Sequence, residues 1–355
     1  MGIEKLTQSI KRYAPGAVAE QVPISSFKDR ILVIESTNWF YKYWKKAYAD
    51  ILDRKDIIED DLIKNEEIIS GWFGPMISFI RTLEKEDIKL VFVFDGKPPE
   101  AKAITKVNRE EDRNEAEKKL NIIKEKLKKL DILDDTRELV KEYKKYASQL
   151  ARPSRDFSTL KDFLRASGYP VLHSTGEGEK LASALVKNGL ADAVISTDTD
   201  NLPFGCPLWI SKYDYKMRSF TCVSLKEVLK GFDFEMETFV DFCIMSGCDY
   251  NGHQNIPKCG PVTSYNLLKK AGKIENLPKT YLEKIECLKY QICRNEFKID
   301  NINDLCSHEI KLEYGEKDHE FLRSFAEKYD LVNIVRPEYT QISQDIEELT
   351  LDEFI

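Results

Sequence analysis

Seven acidic residues have the types and spacing to act together on a phosphodiester. Glu35 and Asp95 end apolar runs, Glu177 and Glu179 pair in STGEGEK, Asp198 and Asp200 pair in STDTD, and Asp249 stands in SGCDY. Singly, each reads as a surface carboxylate or a helix cap. Gathered by a fold they need cations, because two carboxylates about 4 Å apart repel by roughly 4 kcal/mol at an effective dielectric of about 20. Oxygen ligands without adjacent histidine or cysteine favour Mg²⁺ or Mn²⁺ over zinc. Two such ions about 3.5–4 Å apart would activate water and stabilise a leaving oxygen, which is hydrolysis without a covalent intermediate.

The segments that carry these acids give the reason to expect them together. ILVIE ends at Glu35, LVFVFD at Asp95, and DAVISTD reaches Asp198. Short, uninterrupted, β-branched runs of this kind are buried parallel strands. Helical patterns at 37–48, 66–86 and 157–168 alternate with them, so the expected fold class is α/β, a twisted, mainly parallel central sheet flanked by helices. Such sheets bind ligands at the carboxyl ends of their strands. From Pro99 to Arg152 the chain becomes a charge-dense helical stretch with little apolar material to hold it to a core. Its charges are interleaved, which by composition is a solvated helical hairpin and not a DNA contact.

Composition bounds the rest. With 355 residues, 42% hydrophobic and 11% aromatic, the chain can bury a large core in one big domain or two lobes. Its 61 acidic and 54 basic residues leave a net charge of −7, so attraction to a polyanion must come from local patches. The eight cysteines begin at Cys206 and contain no CxxC pair, which fits packing roles in a reducing intracellular compartment. Cys287, Cys293 and Cys306 with His308 are the tightest grouping, but their irregular spacing disfavours zinc. No apolar run approaches membrane-spanning length, no signal or transit peptide is recognisable, and Leu6 in MGIEKL replaces the Ser or Thr of a myristoylation signal.

The start MGI and the blocks VFVFDGKPPEAK, GEGE, ISTDTDNLPFG and FVDFCIMSGCDY resemble, in order and spacing, the motifs of the flap endonuclease family of structure-specific 5′ nucleases. The likeness runs from Met1 to about residue 272 and fades beyond it. It implies a two-metal nuclease with Asp95, Glu177, Glu179, Asp198, Asp200 and Asp249 as metal ligands, and Glu35 where the family has Asp. It implies a helical arch over the charge-dense stretch, with Lys102 and Arg109 as a phosphate-directed basic pair two helical turns apart. Tyr41 stands where the family stacks a tyrosine on a base, although it also reads as a core aromatic of an amphipathic helix. Gly2, once Met1 is removed, would present an amine to the substrate.

NIPKCGPVTSYNLLKK resembles the family's helix–two-turn–helix element, in which Gly260 and the amides at Pro261 cradle a duplex phosphate and backbone carbonyls hold K⁺. The run DYNGHQNIPKCGP is longer here than in cellular members. The expected divisions are 1–99, an N-terminal nuclease region; 100–152, the arch; 153–272, an internal nuclease region with the helix–two-turn–helix; and 273–355, a helical region with an acidic tail. No sliding-clamp motif precedes the terminus QDIEELTLDEFI, and the near match at Gln21, Ile24 and Phe27 is broken by Lys28. The short C-terminal part disfavours the larger mismatch-repair and excision-repair relatives, and the divergence is similar to that of flap-endonuclease-like proteins of large DNA viruses.

The expected activity is cleavage of 5′ flaps, nicks or gaps in DNA replication, repair or recombination, by a monomer with branched or nicked DNA as partner and no membrane association. It would act in the nucleus or at a site of DNA replication, a cytoplasmic factory if viral. Two rivals are a 5′-3′ exonuclease or junction resolvase with the same chemistry, and a catalytically inactive DNA-binding repair scaffold, to which Glu35 is the one pointer.

Overall fold

The computed structural model describes residues 2–54, 63–129, 136–152 and 156–335. They form two units interleaved along the chain: Met1–Trp39 with Glu84–Glu111 and Leu172–Lys311, and Phe40–Leu83 with Asp112–Val171 and Leu312–Ile355.

A seven-stranded mixed sheet organises the first unit. Its strands are β1 (Val18–Pro23), β2 (Ile31–Glu35), β3 (Lys89–Phe94), β4 (Val171–His173), β5 (Ala193–Ile195), β6 (Leu208–Asp214) and β7 (Ser219–Ser224), in the order β1-β7-β6-β5-β2-β3-β4. β6, β5, β2 and β3 run parallel, while β7 and then β1 extend the sheet antiparallel. Leu32, Val33, Ile34, Leu90, Phe92, Val93 and Ala193 to Ile195 are all 0% exposed. Burial on both faces explains why these runs are continuously apolar. β1 carries no such pattern because it is a largely exposed edge, interrupted by an irregularity in which Gln21 has φ 56°.

In chain order the helices are α1 (Leu6–Tyr13), α2 (Ser36–Arg54), α3 (Asn65–Glu84), α4 (Ala103–Lys128), α5 (Arg137–Leu150), α6 (Asp156–Ala166) and α7 (Gly178–Lys187). They continue as α8 (Leu225–Phe232), α9 (Met236–Ser246), α10 (Pro261–Ala271), α11 (Lys279–Leu282), α12 (Tyr290–Phe297), α13 (His319–Lys328) and α14 (Val332–Val335). In the first unit, Leu6 and Ile10 of α1, Val228 and Phe232 of α8, Phe239 and Phe242 of α9, Leu268 of α10 and Phe297 of α12 join Trp209 and Val223 of the sheet in one core.

The second unit has its own aromatic centre, in which Phe73 of α3, Phe163 of α6 and Phe325 of α13 lie 5.1–5.5 Å apart between centroids. The charge-dense stretch is a helical hairpin of α4 and α5, and it is better anchored than its composition suggests. Ala116, Leu120, Ile123 and Leu127 form a buried stripe at intervals of four and three on α4, and Tyr143 and Ala147 are buried on α5. Lys119 and Lys124 of α4 lie over the rings of Tyr146 and Tyr143 of α5. Sparse apolar residues suffice when they fall on one face.

Among the described residues no helix is long and apolar enough to cross a membrane. The terminal QDIEELTLDEFI lies outside the described residues. In the near match to a clamp motif, Ile24 and Phe27 are buried, 2% and 7% exposed.

Candidate functional site

Three strand ends of a parallel sheet share one edge, and the first acids stand there. Glu35 closes β2, Asp95 follows β3, and Asp198 lies three residues beyond β5. Glu35 also opens α2: its Oε1 accepts from Asn38 N at 3.1 Å, and its Oε2 from Ser196 Oγ at 3.4 Å. Asp95 Oδ1 accepts from Gly178 N at 2.7 Å, at the first residue of α7. A helix N-terminus favours a carboxylate. A Cβ on Gly178 would stand only 2.7 Å from the same oxygen, so the glycine between the two glutamates is what lets Asp95 approach.

Glu177 and Glu179 flank that glycine, and Asn38 Nδ2 donates to Glu179 Oε1 at 2.7 Å. A 3₁₀ turn, Thr199–Asn201, presents the second pair. Asp198 N donates to Ser196 Oγ at 3.0 Å and Asp200 N to Asp198 Oδ1 at 3.1 Å. Asp249 opens another 3₁₀ turn after α9.

The basic pair comes to the same place. Lys102 ends a 3₁₀ turn immediately before α4, and its ammonium pairs with Glu177 and lies 3.3 Å from Asp249 Oδ2. Arg109, on α4, donates to Asp249 Oδ2 at 3.0 Å. His253, one turn after Asp249, places Nε2 2.7 Å from Oδ1. Thr105 Oγ1 donates to the Asp249 carbonyl.

Glu35, Glu179, Asp198, Asp200 and Asp249 are all at most 4% exposed. Burial, followed by the charges of Asp95 and Asp198, pushes the Glu35 carboxyl well above its usual range. Burial and the charges of Glu35, Asp95 and Asp198 do the same to Glu179, and burial and Asp198 to Asp200. Burial pushes Asp249 the same way, but the His253 hydrogen bond and the charges of Lys102 and Arg109 outweigh it and hold the carboxyl well below normal. Lys102 is held protonated by Glu177, Asp200 and Asp249 in spite of its own burial.

The fit to a hard divalent cation can be judged on these atoms. Among the described residues no three acidic, histidine or cysteine side chains converge closely enough, as they stand, to enclose an ion. On the Asp249 side, protein cations hold the carboxylates instead. Yet the donor set is carboxylate oxygen, and Glu179 Oε2 and Asp200 Oδ1 are buried with no hydrogen-bond partner. An unmet buried acceptor costs roughly 1–3 kcal/mol, and more if charged. Carboxylate donors with unmet buried oxygens fit a hard divalent cation.

Of the remaining expectations, Gly2 lies against this centre: a Cβ there would collide with Asp198 Oδ1 and stand 2.5 Å from Thr199 Oγ1 and 2.7 Å from Asp200 Oδ1, at a φ of +85°. Tyr41 belongs to the second unit, half-buried on α2, with its ring stacked on Trp44 at 6.0 Å and 7°. Gly260 caps α10 with Pro261 in the first turn, and a Cβ on it would meet nothing within 4 Å. Asn38 and His253 escaped the sequence reading, although each stands near an acid it touches, in ESTN and DYNGH.

The arrangement is an α/β protein with a carboxylate-rich centre at its strand ends, and solved structures share that fold. The catalytic core of Rad2 in complex with DNA substrate superposes with a TM-score of 0.61 at 18% identity, covering 95% of this chain and 99% of that one. Residues 1–116 match the XPG N-terminal domain and residues 168–249 the XPG I-region, spans that contain all seven carboxylates and the basic pair. Flap endonuclease 1 of Lodderomyces elongisporus is 30% identical over 83% of this chain and 72% of its own length. The chain belongs to the flap endonuclease family. A probable RAD2-like endonuclease of Invertebrate iridescent virus 6 is 29% identical over 79% of this chain and 74% of its own. Flap endonuclease 1 of Plasmodium knowlesi is 31% identical over 95% of this chain but 56% of its own, so the chain spans about half the length of that relative.

Proposed function

We propose that this chain is a structure-specific 5′ nuclease that hydrolyses DNA phosphodiesters at 5′ flaps, nicks or gaps near single-strand/duplex junctions. The observation that carries the reading is the pair of buried, unpartnered oxygens, Glu179 Oε2 and Asp200 Oδ1, among more carboxylates than Lys102 and Arg109 can neutralise. Asp95, Glu177, Glu179, Asp198, Asp200 and Asp249 would hold two divalent ions, Mg²⁺ or Mn²⁺, with Glu35 serving the same site. When bound, these supply an activated water and charge stabilisation of the leaving oxygen.

The chain's own groups do the rest. Lys102 and Arg109 neutralise Glu177 and Asp249 here; were those carboxylates to hold a divalent ion, both cations would be available to orient and polarise the scissile phosphate. Gly2, once Met1 is removed, would present its amine to the substrate beside Asp198 and Asp200. Tyr41, backed by Trp44, offers a ring for a base, and the amides at the start of α10 suit a duplex phosphate, with K⁺ held by nearby carbonyls. The kinship supports DNA as partner and a site of DNA replication or repair as the place of action.

The deciding experiment compares labelled flap, nicked-duplex and four-way-junction substrates in Mg²⁺ and in EDTA. Metal-dependent cutting near the flap junction is expected. Cutting only from free ends, or only of the junction, moves the reading to an exonuclease or a resolvase. Binding without cutting in Mg²⁺ and Mn²⁺ overturns it in favour of a scaffold.

A further inference from the structure

Glu35 and Glu179 are both buried acids, 0% and 4% exposed, and the charge of Glu35 raises the cost of ionising Glu179. One residue touches both. Asn38 gives its backbone N–H to Glu35 Oε1 at 3.1 Å and its side-chain amide to Glu179 Oε1 at 2.7 Å. The first contact is imposed by the fold. Asn38 is the third residue of α2, so its N–H has no partner within the helix, and the carboxylate of the residue before the helix caps it. That cap fixes the backbone of Asn38, leaving its short side chain to hold Glu179.

The two oxygens of Glu179 are therefore unequal. Oε1 is anchored by an uncharged donor, which fixes the carboxylate plane without neutralising it, whereas Oε2 is buried and bare. Glu35 differs again: both of its oxygens accept protein hydrogen bonds, from Asn38 and Ser196.

We propose that Asn38 is a positioning residue that fixes Glu179 with Oε2 turned to a divalent cation, while tying Glu35 back against the start of α2. The inference rests on the metal-dependent reading of the site and names the part of this chain that prepares one ligand for the ion. A lysine at residue 38 would pair with Glu179 and compete with the cation, and an apolar residue would free the carboxylate to rotate. The amide does neither.

The test is Mn²⁺ binding to DNA-free protein by titration calorimetry, carried through a double-mutant cycle of Asn38→Leu and Glu179→Gln. If Asn38 acts through Glu179, Asn38→Leu weakens Mn²⁺ binding by about tenfold or more, the usual range for an outer contact to a ligand. In the Glu179→Gln background the same change should cost less than about twofold, since the group it orients has already been altered. Wild-type affinity in folded Asn38→Leu overturns the proposal, and so does an equal loss in both backgrounds, the mark of a general structural role. If Asn38→Leu does not fold, Asn38→Thr is taken through the same cycle with the same two outcomes. Wild type that binds no Mn²⁺ would instead sink the nuclease reading itself.

Discussion

Arg294 and the carboxylates around it contrast with the centre at the strand ends. Arg294 Nε and Nη2 bind the two oxygens of Asp241 at 2.6 Å, Ile274 N adds 2.9 Å to Oδ2, and Nη1 and Nη2 hold Glu275 at 2.6 and 2.9 Å. Both acids there have both oxygens engaged, and the guanidinium's hydrogen bond holds Glu275 down to about 2. At the strand ends, Glu179 Oε2 and Asp200 Oδ1 have no partner and burial pushes both carboxyls well above their usual range, whereas the rise that burial causes in Asp241 is opposed by Arg294 and Ile274 N. The first cluster ties α9, the segment at 274–276 and α12 together with a cation of its own. The second has protein cations on Glu177 and Asp249 but leaves Glu179 Oε2 and Asp200 Oδ1 bare. Where a fold places an acid for stability it supplies the counter-charge; where the acid awaits a ligand, the deficit is the signal.

Asp198→Asn breaks the second cluster most directly. The amide oxygen can still accept from Asp200 N, so the turn survives while a charge is lost. Cleavage should fall by roughly a thousandfold or more, the order expected from losing several kcal/mol of charge stabilisation, with DNA affinity in Ca²⁺ within about threefold of wild type. The same variant, unfolded in EDTA, should melt higher than wild type because it relieves repulsion. Near-normal turnover, or a lower melting temperature, would erase the contrast.

Arg294→Met should do the opposite. It strands Asp241, which is 1% exposed, without its cation and should cost about 3 kcal/mol in denaturant unfolding, while flap cleavage below the transition stays near wild type. A stability loss below about 1 kcal/mol would make the triad no stronger than a surface pair.

The contrast also has a pH signature. Glu35, Glu179 and Asp200 have folded-state pKa values above those of the unfolded chain, so the metal-free fold binds more protons than the unfolded chain. Their contribution favours the fold at pH values below the unfolded range of about 4 to 4.5 and is lost as pH rises through the folded values. Metal-free protein should therefore gain stability from these groups as pH is lowered towards the unfolded range, and Mg²⁺ at about 100 times its Kd should add about 2.7 kcal/mol at the alkaline end of the titration and less at the acid end. Equal Mg²⁺ stabilisation at both ends would mean that no proton is displaced. Glu275 behaves inversely: its contribution is present above the unfolded value and is lost only as pH falls through about 2.

Lys102→Ala and Arg109→Ala should each lower the single-turnover rate by about tenfold to a hundredfold and weaken DNA binding less, as groups acting at the transition state do. Equal losses in both measurements would make them plain phosphate contacts.

Much of this was legible in the chain, for physical reasons. Doubly buried strands write themselves as unbroken apolar runs, so β2, β3 and β5 and the acids at their ends could be placed before any coordinates. β1 could not, because an exposed edge carries no pattern, and β6 and β7 mix buried with half-buried or exposed residues without an unbroken apolar run. The stripe Ala116, Leu120, Ile123 and Leu127 was masked by the density of charges around it. Asn38 and His253 are polar residues in polar surroundings, and only the geometry shows that Asn38 donates to Glu179 and that His253 lies against Asp249. That Lys102 and Arg109, expected to face a phosphate, pair here with Glu177 and Asp249 is likewise a matter of three dimensions.

Glu35 tests where one cluster ends and the other begins. It sits at the strand ends and feels the charges of Asp95 and Asp198, yet both its oxygens are hydrogen-bonded by the protein, as those of Asp241 are. The extra methylene relative to aspartate lets the carboxylate fold back to cap α2 and reach Ser196. Glu35→Gln keeps an acceptor for Asn38 N, and the Ser196 hydroxyl can turn to accept from the new amide, so little structure is lost with the charge. The expected outcome is a cleavage rate down by about tenfold, on the scale of an outer contact to a metal ligand, with Mn²⁺ affinity reduced in step. Glu35→Asp is too short to hold both contacts and should shift the Mg²⁺ optimum while remaining active. A loss in Glu35→Gln as large as that in Asp198→Asn would place Glu35 among the direct ligands, and full activity would assign it, with Asp241, to the structure alone.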